Sequence, residues 1–301
     1  MYNYDRLLQL LKRNNVKKSD LIKLHISSKT IAKISKGEKI SPLVIRKLCN
    51  FFSCTEEEIY TLSSNNVLLR QLRDEKEHKI SGGLYHELQI RMTYNSNHME
   101  GSALSEAQTR RIFETNTLGC EENLSVDDIV ETVNHFRALD YCIDRAEEEI
   151  TEEMIKELHK ILKAGTQDER LAWFNVGEYK ARPNVVGGSK TSDPQNVAAD
   201  MQKLLAAYHR KTELSFEDIV EFHFQFESIH PFQDGNGRVG RLIAFKECLK
   251  HAHIPFIIED TKKYFYYRGL REFLDEPSYL IETCYDGQDT FKRLLAYFEV
   301  T

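Results

Sequence analysis

None of the six cysteines stands in a CxxC pair. Cys49, Cys54, Cys120, Cys142, Cys248 and Cys284 are scattered along the chain, mostly among apolar neighbours. That spacing excludes a zinc ribbon and a disulfide framework and leaves reduced, buried thiols. No apolar run comes near the roughly 20 residues needed to cross a bilayer, so a membrane-spanning role is not expected. The N-terminal residues form no apolar h-region, because Asp5, Arg6 and Lys12 interrupt them; a secretory signal is therefore not expected, and a cytoplasmic location is. Internal repeats and low-complexity tracts are missing as well, which sets aside a repeat architecture.

What is present is an ordinary globular composition: 301 residues, 41% hydrophobic and 29% charged, enough for one large domain and a small one. The formal net charge of -6 is unevenly spread. Residues 1–65 hold twelve Lys or Arg against six Asp or Glu, whereas the remainder holds 29 against 41. A basic head on an acidic body predicts two modules with different partners.

Residues 4–14, 18–25, 28–36, 42–52 and 56–62 read as short helices. Capping residues stand where they should begin: Ser19 and Asp20, Ser27 or Ser28, Ser41 followed by Pro42, and Thr55 with Glu58, while Gly37 closes the third. Leu7, Leu8, Leu11, Leu21, Ile22, Ile31, Ile34, Leu43, Val44, Leu48 and Phe51 recur at helical spacing and predict a small core. This pattern resembles a Cro/CI-type helix-turn-helix domain. The resemblance implies that the third helix enters the major groove, presenting Ser28, Lys29, Thr30, Lys33 and Lys36. The same lysines suit the solvated face of a protein-interaction module, and the helix has no Arg, Gln or Asn for bidentate base contacts.

Ser63, Ser64, Asn65 and Asn66 break the pattern, 67–79 returns to helical composition, and Ser81, Gly82 and Gly83 break it again. The expected division is 1–64, a linker helix within 65–82, and a second domain over 83–301. That second domain reads as almost entirely helical. Its exception is 179–192, where Arg182, Pro183, Asn184, Val185, Val186, Gly187, Gly188 and Ser189 predict a β-hairpin.

The chemistry concentrates in His230-Pro231-Phe232-Gln233-Asp234-Gly235-Asn236-Gly237-Arg238-Val239-Gly240-Arg241. Phe222, Phe226 and Ile229 share one face of a helix that Pro231 cannot easily continue, so His230 is expected at the helix end. Gly235, Asn236 and Gly237 can take positive φ and aim N–H groups at one point, at the start of a helix whose dipole favours an anion. Arg238 and Arg241, three apart, can fork onto phosphate oxygens. Asp234 suits a Mg²⁺ that bridges phosphates, and His230, titrating near neutrality, suits a general base. Together they read as a phosphate site.

The string resembles the Fic signature, His-Pro-Phe-x-Asp-Gly-Asn-Gly-Arg-x-x-Arg, at every fixed position, and the resemblance extends over most of residues 85–300. It implies a mainly α-helical fold with a β-hairpin flap, and transfer of AMP from ATP with Mg²⁺. His230 is then the base, Asp234 the metal ligand, Gly235, Asn236, Gly237 and Arg238 the phosphate loop, and Arg241 the γ-phosphate clasp. Phe232 is expected as a core anchor. Val186, Gly187, Gly188 and Ser189 resemble the flap that aligns a target segment. Tyr266 and Tyr267 resemble a nucleotide-lining pair, although a core aromatic stripe fits them nearly as well. Where the family often places an Asn for adenine, this chain has Leu274 and Asp275.

A second string, Ser96-Asn97-His98-Met99-Glu100-Gly101, resembles the family's inhibitory motif, in a helix around 90–101. Read alone it is a capped helix end with Gly101 past the cap. Beside the signature it implies that Glu100 pairs with Arg241 and blocks the γ-phosphate. The resulting expectation is a protein adenylyltransferase acting on a Ser, Thr or Tyr hydroxyl of a target or of itself, restrained by Glu100. Two other readings stay open: a de-AMPylase using the same site, and a DNA-binding regulator whose second domain senses nucleotide. Homo-oligomerisation is compatible with either.

Overall fold

The computed structural model describes residues 2–14, 16–36, 40–62, 66–119, 124–187 and 189–300. Gly37, Ser63, Ser64, Asn65, Cys120 and Gly188 lie outside them. The chain divides into two compact units, Met1–Arg70 and Gln71–Thr301.

The first unit packs three α-helices, α1 (Asp5–Arg13), α2 (Ser28–Ser35) and α3 (Pro42–Phe52), with a 3-10 segment at Lys18–Leu24. Caps set the boundaries: the Ser27 hydroxyl accepts from Thr30 N–H at 3.2 Å, and Ser41 caps α3 with Pro42 in its first turn. The core holds Leu7, Leu11, Leu21, Ile34, Ile45, Leu48 and Ile59. Leu8, Ile22, Leu43 and Phe51, expected inside, are exposed. Each neighbours a residue whose side chain already faces the core, and adjacent helical positions point about 100° apart. The helix expected over 56–62 is instead a 3-10 turn at Glu56–Glu58, closed by a bond from Thr55 N–H to the Glu58 carboxylate at 2.9 Å. The strand β2 (Thr61–Leu62) then pairs antiparallel with β1 (Tyr2–Asn3).

Helix α4 (Val67–Glu77) carries the chain across residue 70. The second unit follows with α5 (Leu84–Met99), α6 (Glu106–Thr115), α7 (Val126–Asp144), α8 (Glu152–Lys163), the hairpin β3 (Val185–Val186) and β4 (Ser189–Lys190), α9 (Val197–His209), α10 (Phe216–Ile229), α11 (Asn236–Lys250), α12 (Lys263–Glu272) and α13 (Ser278–Tyr297). Helix α11 is the axis. It packs against α5, α7, α8 and α10, and Val239, Leu242, Ile243, Phe245 and Leu249 are buried all round it. A helix so enclosed must pair its charges internally. Lys246 reaches Glu247 at 2.7 Å, and Tyr208 of α9 donates to Glu247 at 2.9 Å. Arg238 and Arg241 are buried in the same helix, so their partners determine the local chemistry.

Among the described residues no helix is long and apolar enough to cross a membrane.

Candidate active site

The loop between α10 and α11 is built by its own side chains. Ser215 caps the start of α10, and His230 ends it in the left-handed region at φ 52, its N–H bonded to Phe226 O at 2.9 Å. This conformation is uncommon for a residue bearing a Cβ and is found where the surroundings impose it. Asn236 closes the loop: its Oδ1 accepts from Phe232 N–H at 2.8 Å and its Nδ2 donates to Phe232 O at 2.9 Å. Phe232, fully buried, stacks on the His159 ring at 4.0 Å and is the anchor its sequence context suggested. His159 Nδ1 accepts from Gly177 N–H at 2.9 Å, which leaves Nε2–H to donate to Asp234 O at 3.2 Å. Burial keeps that imidazole neutral, pushing its pKa down to about 3.

Gly235 alone of the Gly-Asn-Gly stretch takes positive φ, at 78°. Gly237 is helical and is needed for closeness: a Cβ there would lie 2.2 Å from Glu100 Oε1 and 3.0 Å from Arg241 Nη1.

The two arginines of α11 diverge instead of converging on one point. Arg238 bonds Glu131 of α7 and, at 3.1 Å, Asp234. Arg241 turns to α5, where Nη2 donates to Glu100 Oε1 at 2.7 Å and to Ser96 O at 2.9 Å, and Nε donates to Ser96 Oγ at 3.0 Å. Glu100 is the C-cap of α5, and Gly101 follows at φ 98. Burial penalises the Arg241 cation, yet the Glu100 carboxylate more than offsets this and holds its pKa above the ordinary value.

A cavity of about 670 Å³ opens at this point, lined by Glu100, His230, Gly237 and Arg241, by Val186 and Gly187 of the hairpin, and by Tyr266 and Tyr267 of α12. Tyr266 is both wall and core: it is 1% exposed, its hydroxyl is 2.7 Å from His223 Nε2, and its ring lies under the Arg241 guanidinium. Tyr267 donates to Met99 O at 3.0 Å, one residue before Glu100. Ser189 pairs with Val186 across the hairpin. Leu274 also lines the cavity. Burial, with help from the Lys180 ammonium, lowers the His230 pKa to about 4, while Glu100 and Asp234 pull the other way. The imidazole is therefore neutral at physiological pH and able to accept a proton. Glu227, one turn before His230 on α10, lines the same cavity, and burial raises its carboxyl to about 8.

Asp234 is gripped from behind. The Lys163 ammonium of α8 lies 2.8 Å from it, 2.5 Å from Glu131 and 2.6 Å from Asp168. The three carboxylates are close enough together to suggest a metal cluster, but the lysine nitrogen bridges them and already supplies the cation. Asp234 keeps its charge: burial pushes its pKa up, and the Arg238 and Lys163 cations pull it well below the usual carboxylate range. Its side chain is 52% exposed, so an ionised carboxylate faces outward, the donor that Mg²⁺ binding through one acid and substrate phosphates requires.

Replacing Lys163 by Met removes the buried cation shared by Glu131, Asp168 and Asp234 and leaves Arg238 on two of them; it is expected to cost up to about 3 kcal/mol of stability, read as a lowered melting temperature at pH 7. The carboxylate contribution is present above the ordinary carboxylate pKa and lost as pH falls through the depressed one. The gap between wild type and Lys163→Met therefore narrows below about pH 4; a gap that widens there refutes the assignment.

Lys163, Glu131, His159, Glu227 and Lys180 escaped sequence reasoning. The lysines and acids look like solvated helix positions or, for Lys180, a solvated residue before a hairpin, and contact across 71 to 107 residues of chain, as in Lys163–Asp234 and Arg238–Glu131, is what sets two of them apart.

Residues 149–247 match the model of the Fic/DOC family, and residues 6–64 match that of the Cro/C1-type HTH DNA-binding domain. The chain is 29% identical over 227 residues to "Protein adenylyltransferase Fic" of Drosophila melanogaster, covering 73% of this chain and 44% of that protein. To the protein of the same name from Aedes aegypti it is 28% identical over 191 residues, 62% of this chain and 37% of that one. It thus spans less than half the length of these curated relatives. Among solved structures it is similar to a Fic domain containing signaling protein from Bacteroides thetaiotaomicron, with a TM-score of 0.60 at 24% identity over 76% of this chain and 94% of that one. It is also similar to Fic-1 from C. elegans, residues 134–508, with a TM-score of 0.60 at 18% identity over 77% of this chain and 72% of that one. At these identities the structural likeness speaks for the fold.

Proposed function

We propose that this chain, which carries a Fic/DOC domain over residues 149–247 and a Cro/C1-type helix-turn-helix domain over residues 6–64, is a protein adenylyltransferase restrained by its own Glu100. One observation carries the reading: a neutral imidazole and a buried guanidinium, His230 and Arg241, line one cavity, and the guanidinium is already occupied by a carboxylate of the same chain.

In the active state ATP enters the cavity and its γ-phosphate replaces Glu100 on Arg241, an exchange of one anion for another. Backbone N–H groups at the start of α11 meet the other phosphates, aided by the helix dipole. A Ser, Thr or Tyr hydroxyl of the target attacks the α-phosphorus in line. The new O–P bond forms as the bond to the β-phosphate oxygen breaks, pyrophosphate leaves, and His230 takes the hydroxyl proton. Asp234 would hold Mg²⁺, whose charge would offset that of the phosphates. Arg238 acts by fixing Asp234 and Glu131, and the hairpin, whose Val185 and Val186 are exposed, would take up an extended target segment. An acceptor on the chain itself satisfies the same chemistry.

The test is to incubate the Glu100→Gly protein with ATP and Mg²⁺ and follow intact mass and pyrophosphate. An added AMP with stoichiometric pyrophosphate is expected. Neither appearing with added candidate targets, or AMP leaving a modified target faster than it is added, would defeat the reading in favour of nucleotide sensing or de-AMPylation respectively.

The first unit adds a DNA-binding proposal, favoured by α2, which is capped by Ser27 and exposes Ser28, Lys29 and Lys36. Duplex binding is expected to weaken steeply with salt, and Lys29→Ala to lower the salt slope by about 1; binding indifferent to salt would refute it.

A further inference from the structure

The stem of the β3–β4 hairpin is fastened to the chain on both sides of His230, and one buried residue makes two of the four fastenings. Lys180 is 2% exposed. Its N–H donates to Pro231 O at 2.8 Å, and its ammonium donates to Asn184 Oδ1 at 2.7 Å, Thr191 Oγ1 at 2.6 Å and Ile229 O at 3.4 Å. Those bonds use all three ammonium hydrogens. Asn184 and Thr191 bracket the hairpin, one residue before β3 and one after β4, and Thr191 donates to Asn184 O at 3.0 Å. Asn184 in turn donates to Phe232 O at 3.1 Å, and Ser192 N–H to Ile229 O at 3.3 Å. The carbonyls of Ile229, Pro231 and Phe232 thus all accept from the stem. No carboxylate forms an ion pair with Lys180 among the described residues; Asp193 acts on it only from a distance. Burying an ammonium without an anion is costly, and the geometry accounts for it only as a tie between hairpin and loop.

We propose that Lys180 is a positioning residue, locking the hairpin stem to the loop that presents His230 so that target edge and base keep one register. This rests on the adenylyltransferase reading. The charged groups around His230 are Lys180 of the stem, Lys190 of β4, Glu227 of α10, Glu100 of α5, Asp234 of the loop and Arg241 of α11. Glu100 and Arg241 pair with each other, and burial favours the neutral form of Glu227. Lys180 is the cation whose field disfavours imidazolium at His230.

The experiment places Lys180→Met and Lys180→Arg in the full-length Glu100→Gly protein. It measures amide hydrogen exchange, the NMR titration of the His230 imidazole, and AMP transfer against pH. Lys180→Met is expected to speed exchange at Ser192 and the hairpin by roughly 10-fold or more while α10 and α13 keep their protection. It should also move the His230 titration up from about 4 toward the ordinary histidine range, and lower kcat roughly 100-fold. Lys180→Arg, which keeps the charge and donors, is expected to restore the exchange and the titration. Unchanged exchange at Ser192 with an unchanged titration overturns the proposal, and so does protection lost equally in α10 and α13, which marks a general fold residue. If the Glu100→Gly parent transfers no AMP, the adenylyltransferase reading fails, while exchange and titration still decide the tie.

Discussion

The Glu100→Gly protein is expected to transfer AMP at least roughly 100-fold faster than wild type, because the reacting phosphate gains its aligned pose only when Arg241 is free. The carboxylate sits 2.7 Å from Arg241 Nη2, where a γ-phosphate oxygen would have to be. On the proposed reading, ATP meeting Glu100 in place would either break that pair or bind with its phosphates displaced, and a displacement of about 1 Å is enough to slow an in-line reaction by orders of magnitude. The backbone tolerates the change, since residue 100 has φ -90 and glycine takes such a conformation freely. A thermodynamic signature should accompany the kinetic one. Without nucleotide, Arg241 is left buried with Ser96 alone, which lowers stability by up to about 3 kcal/mol. ATP supplies the missing anion, so the melting temperature of Glu100→Gly is expected to rise more with ATP than that of wild type. Equal transfer rates and equal ATP-induced shifts would show that the pair restrains nothing.

What the sequence makes legible about this site depends on how far apart in the chain its parts lie. His230, Asp234, Gly235 and Arg241 fall within twelve residues, and the reasons for each are local: a proline after a helix, a glycine before one, charges one turn apart. Glu100 is 141 residues from Arg241, and no local pattern links them; the expectation that they pair comes from the resemblance of residues 96–101 to the inhibitory motif that accompanies the Fic signature. Direction was less legible than identity. Arg238 and Arg241 share a helical face by spacing, but Glu131 and Asp234 pull one guanidinium away while Ser96 and Glu100 hold the other, and apart from Asp234 those partners lie on α7, on α5 and at its C-cap. Lys163 and Lys180 were illegible for a related reason. A lysine on a helix or before a hairpin is usually solvated, and nothing local says that these two are 2% exposed. In the first unit the helix boundaries followed from Ser27, Ser41 and Pro42, whereas the pairing of β2 with β1 joins residues about sixty apart and leaves no periodic trace in two-residue strands.

His230→Ala, made in the Glu100→Gly background, is expected to lower AMP transfer by roughly 10²- to 10⁴-fold, the range lost with a positioned general base. ATP affinity should change little, because Arg241 and the N-terminus of α11 are untouched and the proposed role of His230 is on the acceptor hydroxyl. The pH profile separates this role from a merely structural one. Burial and the Lys180 cation hold the His230 pKa at about 4, so the imidazole is neutral and competent across the physiological range. Its protonation should stop the reaction only as pH falls toward that value, and removing Glu100 deletes a charge that favoured the protonated form. The kcat/KM of Glu100→Gly is therefore expected to stay level from about pH 8 down to about pH 5, without the inflection near 6.5 that an unperturbed histidine would impose. An acid limb centred near 6.5 would mean that His230 titrates without the shift that burial and Lys180 impose, whereas substantial transfer by Glu100→Gly/His230→Ala would mean that another group accepts the proton.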